Sequence, residues 1–321
     1  MSASVVAAES LDRGVRMLRT AMGPALAAWL ADPDVSEVML NADGRLWIDR
    51  LSTGLADTDR RMSGPDGERV IRLVAHHVGA EVHAERPRLS AELPQSGERF
   101  EGLLPPLVQA PAFAIRKPAR QVLSLQAYIT GGVISPVQGE QLRQAVRERR
   151  NILVVGPTAS GKTTLTNALL AEVPSDERVV LAEDLRELQC AIPNHIALRT
   201  QEGVATLTDL VRSALRLRPD RIIVGEVRGG EALDLVKAWG TGHPGGLGTL
   251  HAGSALGALR RLEQLIQEVV VSPPRALIAE TIELIAVLNG RGQARRLTEL
   301  TAVAGLTPAG DYHLVSMGDL P

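Results

Sequence analysis

Apolar residues recur every three or four positions between residues 10 and 31, at Leu11, Val15, Leu18, Met22, Leu26 and Leu30. That spacing predicts a helix, and Asp32-Pro33-Asp34 ends it. The period then falls to two. Residues 36–40 and 45–49 alternate on either side of Asn41-Ala42-Asp43-Gly44, so they are expected to pair as a hairpin. A second helix is expected over 66–78, with Val70, Leu73, Val74 and His77 on its apolar face. From 99 to 117 short strand-like runs are broken by Pro105-Pro106 and Pro111. Residues 1–117 therefore read as a small α/β domain. Pro118, Gly131-Gly132 and Pro136 mark 118–135 as a linker.

Beyond the linker the pattern becomes strand–helix alternation. Strands are expected at 151–155, 179–182, 221–224 and 247–251, and helices at 162–171, 207–217, 231–239 and 256–269. Short runs that are apolar throughout, alternating with helices, argue for a mostly parallel sheet covered by helices on both faces. Tyr312, Leu314 and Val315 suggest a last strand within 304–321. The fold class expected is α/β, with a small N-terminal domain followed by a P-loop nucleotide domain over 136–321.

The nucleotide reading rests on Gly156-Pro157-Thr158-Ala159-Ser160-Gly161-Lys162-Thr163, which fits G-x-x-x-x-G-K-[ST] between an apolar strand and a helix. Glycines let such a loop wrap closely, its N–H groups converge on phosphate oxygens, and the helix N-terminus adds favourable partial charge. Lys162 can bridge the β- and γ-phosphates, the Thr163 hydroxyl can ligate Mg²⁺, and Thr164 continues the binding turn. Hydrolysis also needs acids. The strand 221–224 runs into Gly225-Glu226, placing Glu226 at a strand end as candidate general base, with Gly225 where an Asp would usually hold the metal. Glu183-Asp184 follow another apolar strand and are candidates for the missing charge near Mg²⁺. Glu187 is a weaker candidate. His251 closes a further strand, where a neutral imidazole can contact the γ-phosphate. His243 reads as a turn residue.

Composition narrows the reading. The chain has 321 residues, 45% hydrophobic but only 2% aromatic, and a formal charge of −2. Scarce aromatics argue against stacking platforms for single strands. Residues 1–117 hold 14 Lys/Arg against 16 Asp/Glu, the remainder 21 against 21, so no basic domain stands out and no stable nucleic-acid binding is expected. Cys190 is the only cysteine, which excludes an intramolecular disulfide and a multi-cysteine zinc site; it reads as a small buried side chain. The first residues are not a charged-then-apolar signal, and no run approaches the ~18 apolar residues of a membrane span, so a cytoplasmic protein is expected.

Together these stretches resemble the secretion and conjugation traffic ATPases, a family of hexameric RecA-like motors. The segment 179–188 is similar to their aspartate box, 215–228 to their second nucleotide-site segment including the Gly before the Glu, and 240–252 to their histidine box. The closest likeness is to the conjugal-transfer branch, related to the type IV secretion ATPases, on the wording of 237–246 and 34–41. Type II secretion and pilus-assembly relatives match less well, since many carry a four-cysteine metal module that a chain with only Cys190 cannot have. Pilus-retraction and tight-adherence relatives lack it too, and an ATPase of a type II secretion, pilus-retraction or tight-adherence system is the alternative.

The resemblance implies ATP and Mg²⁺ as cofactors, a hexameric ring, and attachment to the inner membrane through components of a transfer apparatus. It implies that the N-terminal domain closes over the nucleotide and supplies arginines, with Arg99 and Arg116 at the matching places. Arg228 is the candidate for stabilising transition-state charge. A tRNA-modifying transferase, a nucleic-acid motor and a non-hydrolysing switch are the readings set against it. The transferases place their loop at the extreme N-terminus and lack this pairing of acidic and histidine boxes, and intact Lys162, Thr163 and Glu226 argue against a switch.

Overall fold

The computed structural model describes residues 3–94, 96–118, 122–201 and 203–319. The chain divides into two compact units, residues 1–120 and 121–321.

The first unit opens with helix α1 (Ala3–Ala31), which begins before the expected residue 10. Gly23 takes φ 73° immediately ahead of Pro24, so α1 is two helical runs joined at a kink. Strands β1 (Val35–Leu40) and β2 (Arg45–Arg50) form the expected hairpin, extended by β3 (Gly54–Arg61). Helix α2 (Gly64–His77) starts on Ser63, whose hydroxyl accepts from the Asp66 N–H, a common N-cap device. Then come β4 (Arg88–Glu92), β5 (Arg99–Leu103) and β6 (Ala112–Arg116). The antiparallel sheet runs β3-β2-β1-β6-β5-β4. Val38, Leu40, Phe113, Ile115 and Phe100 pack with Val70, Ile71 and Val74 of α2 in one core.

In the second unit come α3 (Leu125–Thr130), α4 (Pro136–Arg147), β7 (Ile152–Val155), α5 (Lys162–Leu170), β8 (Val179–Glu183) and β9 (His195–Arg199). They are followed by α6 (Leu207–Ala214), β10 (Arg221–Val224), α7 (Glu231–Gly240), β11 (Leu247–Leu250), α8 (Ala255–Ile266) and α9 (Arg275–Thr281). Strands β12 (Leu284–Asn289), β13 (Arg296–Leu306) and β14 (Tyr312–Ser316) complete the unit. The eight-stranded sheet runs β14-β13-β12-β7-β11-β10-β8-β9. Its strands from β12 to β9 are parallel, and β13 and β14 are antiparallel additions.

Strand alternation splits the core. Leu153, Val155, Ile222 and Val224 face α6, α7 and α8, whereas Ile152, Val154 and Ile223 face α3, α4 and α5. Every residue of β7, β8, β10 and β11 is buried, which is why these runs, apart from Glu183, Arg221 and Thr249, read as apolar.

The expected linker needs correction. Leu125, Tyr128 and Ile134 are buried in the core beneath β7, so 125–135 is a built part of the second unit. Pro and Gly there serve helix ends: Pro136 opens α4 behind a Ser135 capping box, and Gly131 follows α3. Residues 119–121 of that linker lie outside the described residues, as does Gln95 near Arg99.

Candidate nucleotide site

The parallel order β12-β7-β11-β10-β8 brings five C-terminal strand ends side by side, where open α/β sheets bind ligands. The candidate phosphate loop leaves β7. At Gly156 an added Cβ would stand 2.3 Å from the Leu288 carbonyl oxygen and 2.6 Å from Ser160 Oγ, so only glycine fits. Pro157, Thr158 and Ala159 form the exposed arch, with Ala159 at φ 62°. Gly161, at φ 91°, is the N-cap of α5. This left-handed backbone is open to glycine at little strain. Lys162, Thr163 and Thr164 then form the first turn.

Lys162 is 7% exposed. Its Nζ donates to the Gly156 and Pro157 carbonyls, both at 3.2 Å, and lies 3.3 Å from His251 Nδ1. On its other side the His251 ring places Nε2 2.6 Å from Glu226 Oε1. That approach is off the hydrogen-bond axis, because Glu226 Oε1 accepts no hydrogen bond among the described residues. Glu226 Oε2 accepts from Arg228 Nε at 2.7 Å and from Arg228 Nη2, while Arg228 Nη1 reaches Asp184 Oδ2 at 3.5 Å. The structure therefore brings Lys162, His251, Glu226, Arg228 and Asp184 into one contact chain across β7, β11, β10 and β8.

The acids after β8 are arranged differently from the expectation. Glu183 is 3% exposed, and its Oε2 accepts the backbone N–H groups of Glu187 and Leu188 at 2.9 and 3.0 Å. It folds the following segment back. Asn167 of α5 pins that segment, donating to the Glu187 carbonyl and accepting from the Gln189 N–H. As a result Glu187, ranked low from sequence, accepts from the Thr163 hydroxyl at 3.1 Å. Asp184 accepts from the Thr200 hydroxyl at 3.1 Å. The glycine at 225 also has a physical reason: a Cβ there would lie 3.0 Å from Glu183 Cβ. A strand-end Asp would crowd that buried carboxylate.

The donor set fits a hard divalent cation shared with phosphate. Thr163 and Glu187 offer adjacent oxygens, and no cluster of three or more His, Cys, Asp or Glu side chains able to hold a metal occurs among the described residues. Mg²⁺ commonly takes one or two protein ligands, with phosphate and water supplying the rest.

Burial first, then the Lys162 ammonium, pushes the His251 imidazolium below its ordinary 6.5, against the Glu226 charge. The ring is therefore neutral at pH 7. A group whose folded-state pKa lies below its unfolded value binds fewer protons when folded, so acidification through 6.5 destabilises the fold. ATP turnover is expected to fall on the acid side with a midpoint below 6.5, and His251→Gln to remove that limb. An NMR titration of the ring checks the assignment, and a midpoint above 6.5 contradicts it.

Arg99 and Arg116 belong to the first unit, where they stand directly opposite one another on β5 and β6. Glu37 faces Arg116 and Glu92 faces Arg99, so two carboxylates flank the guanidinium pair. Burial pushes the Glu37 carboxyl up, and the Arg116 charge opposes it. Of the remaining candidates, His243 is a turn residue whose Nδ1 meets the Pro219 carbonyl at 3.1 Å. Cys190 is a free thiol, half-buried, and pushed up by that burial.

The family described as Type II/IV secretion system protein matches residues 76–293. The conjugal transfer protein TrbB of Rhizobium radiobacter is 46% identical over 299 residues, covering 92% of each chain. The type IV secretion system protein PtlH homolog of Bordetella bronchiseptica is 33% identical over 320 residues, covering 88% of this chain and 94% of that one. Among solved structures, the pilus retraction motor PilT with bound ADP is similar at a TM-score of 0.61 and 19% identity. That match covers 91% of this chain and 80% of PilT, and it concerns the fold alone. On the family match and the 46% identity together, the chain belongs to the Type II/IV secretion system protein family and is an ATPase.

Proposed function

We propose that this ATPase hydrolyses ATP with Mg²⁺ as a ring, expected to be hexameric, and powers a conjugal-transfer or type IV secretion apparatus. The observation that carries the reading is the contact chain from Lys162 through His251 and Glu226 to Arg228. Such a chain joins a phosphate-binding cation to a carboxylate at a strand end, which is what hydrolysis of a terminal phosphate needs.

The loop 156–163 and Thr164 hold the phosphates through backbone N–H groups and the Lys162 ammonium. Glu226 takes the proton of the attacking water. Neutral His251 orients Glu226 and faces the γ-phosphate. Arg228 donates to Glu226 Oε2, so transfer of its N–H groups to phosphate frees that oxygen and adds positive charge where the transition state needs it. Thr163 holds the cation with Glu187, and Asp184 and Glu183 support it through bound water. Mg²⁺, when bound, neutralises charge on the β- and γ-phosphates. In the first unit, Arg99 and Arg116 form a paired surface that can grip phosphate bidentately.

The names of the relatives support the transfer role, and the even charge supports a motor that does not itself hold nucleic acid. No helix among the described residues is long and apolar enough to cross a membrane. Attachment to the inner membrane is therefore proposed to run through protein partners, from the cytoplasmic side. A mass measurement on Glu226→Gln with Mg²⁺ and ATP is expected to show six copies. Monomers at every nucleotide condition would contradict the ring.

A further inference from the structure

The catalytic groups lie on one flank of the phosphate loop. His251 follows β11, Glu226 follows β10, and β11 adjoins β7 on that side. A triphosphate lying along the loop with its γ end at these groups directs its α-phosphate and nucleoside toward the other flank, which is β12. The chain turns back sharply there. Gly290 takes φ 79°, and a Cβ on it would stand 2.2 Å from the Ala294 carbonyl oxygen. One 3₁₀ turn over Gly292–Ala294 follows, and Arg295 is returned toward the loop.

The Arg295 guanidinium lies against Gly161. A Cβ added at Gly161 would be 2.7 Å from Arg295 Cζ, 2.9 Å from Nε and 3.0 Å from Nη1. Gly161 thus serves twice, through its backbone angle and through the room it leaves for this side chain. Arg295 Nε is buried and donates to no acceptor among the described residues, and none of their carboxylates pairs with the guanidinium. The nearby Tyr128 hydroxyl is also buried without a partner. A buried donor left unmet is unfavourable unless something else accepts from it. A guanidinium beside a phosphate loop is suited to an anionic oxygen.

We propose that Arg295 is a nucleotide-binding residue at the nucleoside end of the site, its guanidinium donating to the α-phosphate. The proposal rests on the ATPase reading and adds a residue to the catalytic set already described. A cation at this place grips ATP and ADP alike, because it is remote from the γ-phosphate. It sets nucleotide affinity and leaves the chemical step to Glu226.

The test is calorimetric binding of ATP, ADP and inorganic pyrophosphate, which can fill the β and γ positions but has no α-phosphate, to the full chain and to Arg295→Ala, Arg295→Gln and Arg295→Lys, with a thermal melt on each. Arg295→Ala and Arg295→Gln are expected to weaken ATP and ADP by about tenfold or more, equally. Pyrophosphate binding is expected to stay unchanged, and Arg295→Lys to fall between. Unchanged ATP and ADP affinity in a folded Arg295→Gln would overturn the proposal. So would an equal loss for pyrophosphate, which puts Arg295 on the β- or γ-phosphate, or a loss confined to ATP. A wild-type chain that binds no nucleotide would instead sink the ATPase reading.

Discussion

Glu226→Gln is expected to lower ATP turnover by roughly 100- to 10,000-fold, the range that general-base catalysis contributes. ATP affinity is expected to change only a few-fold. The amide keeps the size of the side chain and can still accept from Arg228, but it cannot take a proton from water. Lys162→Ala should produce the opposite division, losing nucleotide binding itself because the proposed role of the ammonium is to meet phosphate directly. Phosphate release and a separate equilibrium titration distinguish the two. Undiminished turnover in Glu226→Gln would require the base to be another acid. Asp184 and Glu187 are the nearest alternatives, since the first shares Arg228 and the second meets Thr163.

Glu177→Ala is expected to give the largest loss of stability. Arg221 begins β10 with no solvent exposure, and its only carboxylate partner among the described residues is Glu177, ahead of β8. Arg221 Nε and Nη2 donate to Glu177 at 2.5 and 3.0 Å, and Nη1 reaches the Gly245 carbonyl at 3.4 Å. The pair ties together the N-terminal ends of three parallel strands, opposite the end that carries the candidate site. Removing the carboxylate alone leaves a buried guanidinium unpaired, at about 3–5 kcal/mol. For a unit of this size that lowers Tm by roughly 10 °C. Joint replacement by Arg221→Met and Glu177→Leu should recover most of the loss. If Glu177→Ala melts with the wild type, the buried pair contributes little.

The same pair has a pH signature. Burial pushes the Glu177 carboxyl up, but the Arg221 guanidinium outweighs it and holds the group below its ordinary 4.5. Its stabilisation is therefore present above 4.5 and is lost as pH falls through the lower folded value.

Much of the second unit was legible because its signals are local. The strands β7, β8, β10 and β11 are buried on both faces, so each reads as a short apolar run, and helices with one wet face separate them. Helix α3 was misread for the same local reason. Its six residues are flanked by Pro118 and Gly131-Gly132, which resemble connection, and only packing against α4 and α5 reveals Leu125 and Tyr128 as core. Arg221 illustrates the limit from the other side. As a charged residue at a strand start it looks solvated, and its partner is 44 residues away.

The sequence alone determined the strand–turn–helix of the candidate phosphate loop, because strand, glycine turn and helix N-terminus are contiguous and their geometry is set by neighbouring backbone. It also determined which strand ends carry acid or histidine. Tertiary structure decided what those ends touch. The order β12-β7-β11-β10-β8 is not the order of the chain, and it sets His251 between Lys162 and Glu226. The fold of 183–189 against α5 turned the Glu183 carboxylate toward backbone N–H groups and gave Thr163 to Glu187. The turn after β12 brought Arg295 to Gly161. These pairings depend on crossovers and buried hydrogen bonds between distant segments, which residue spacing along the chain does not record.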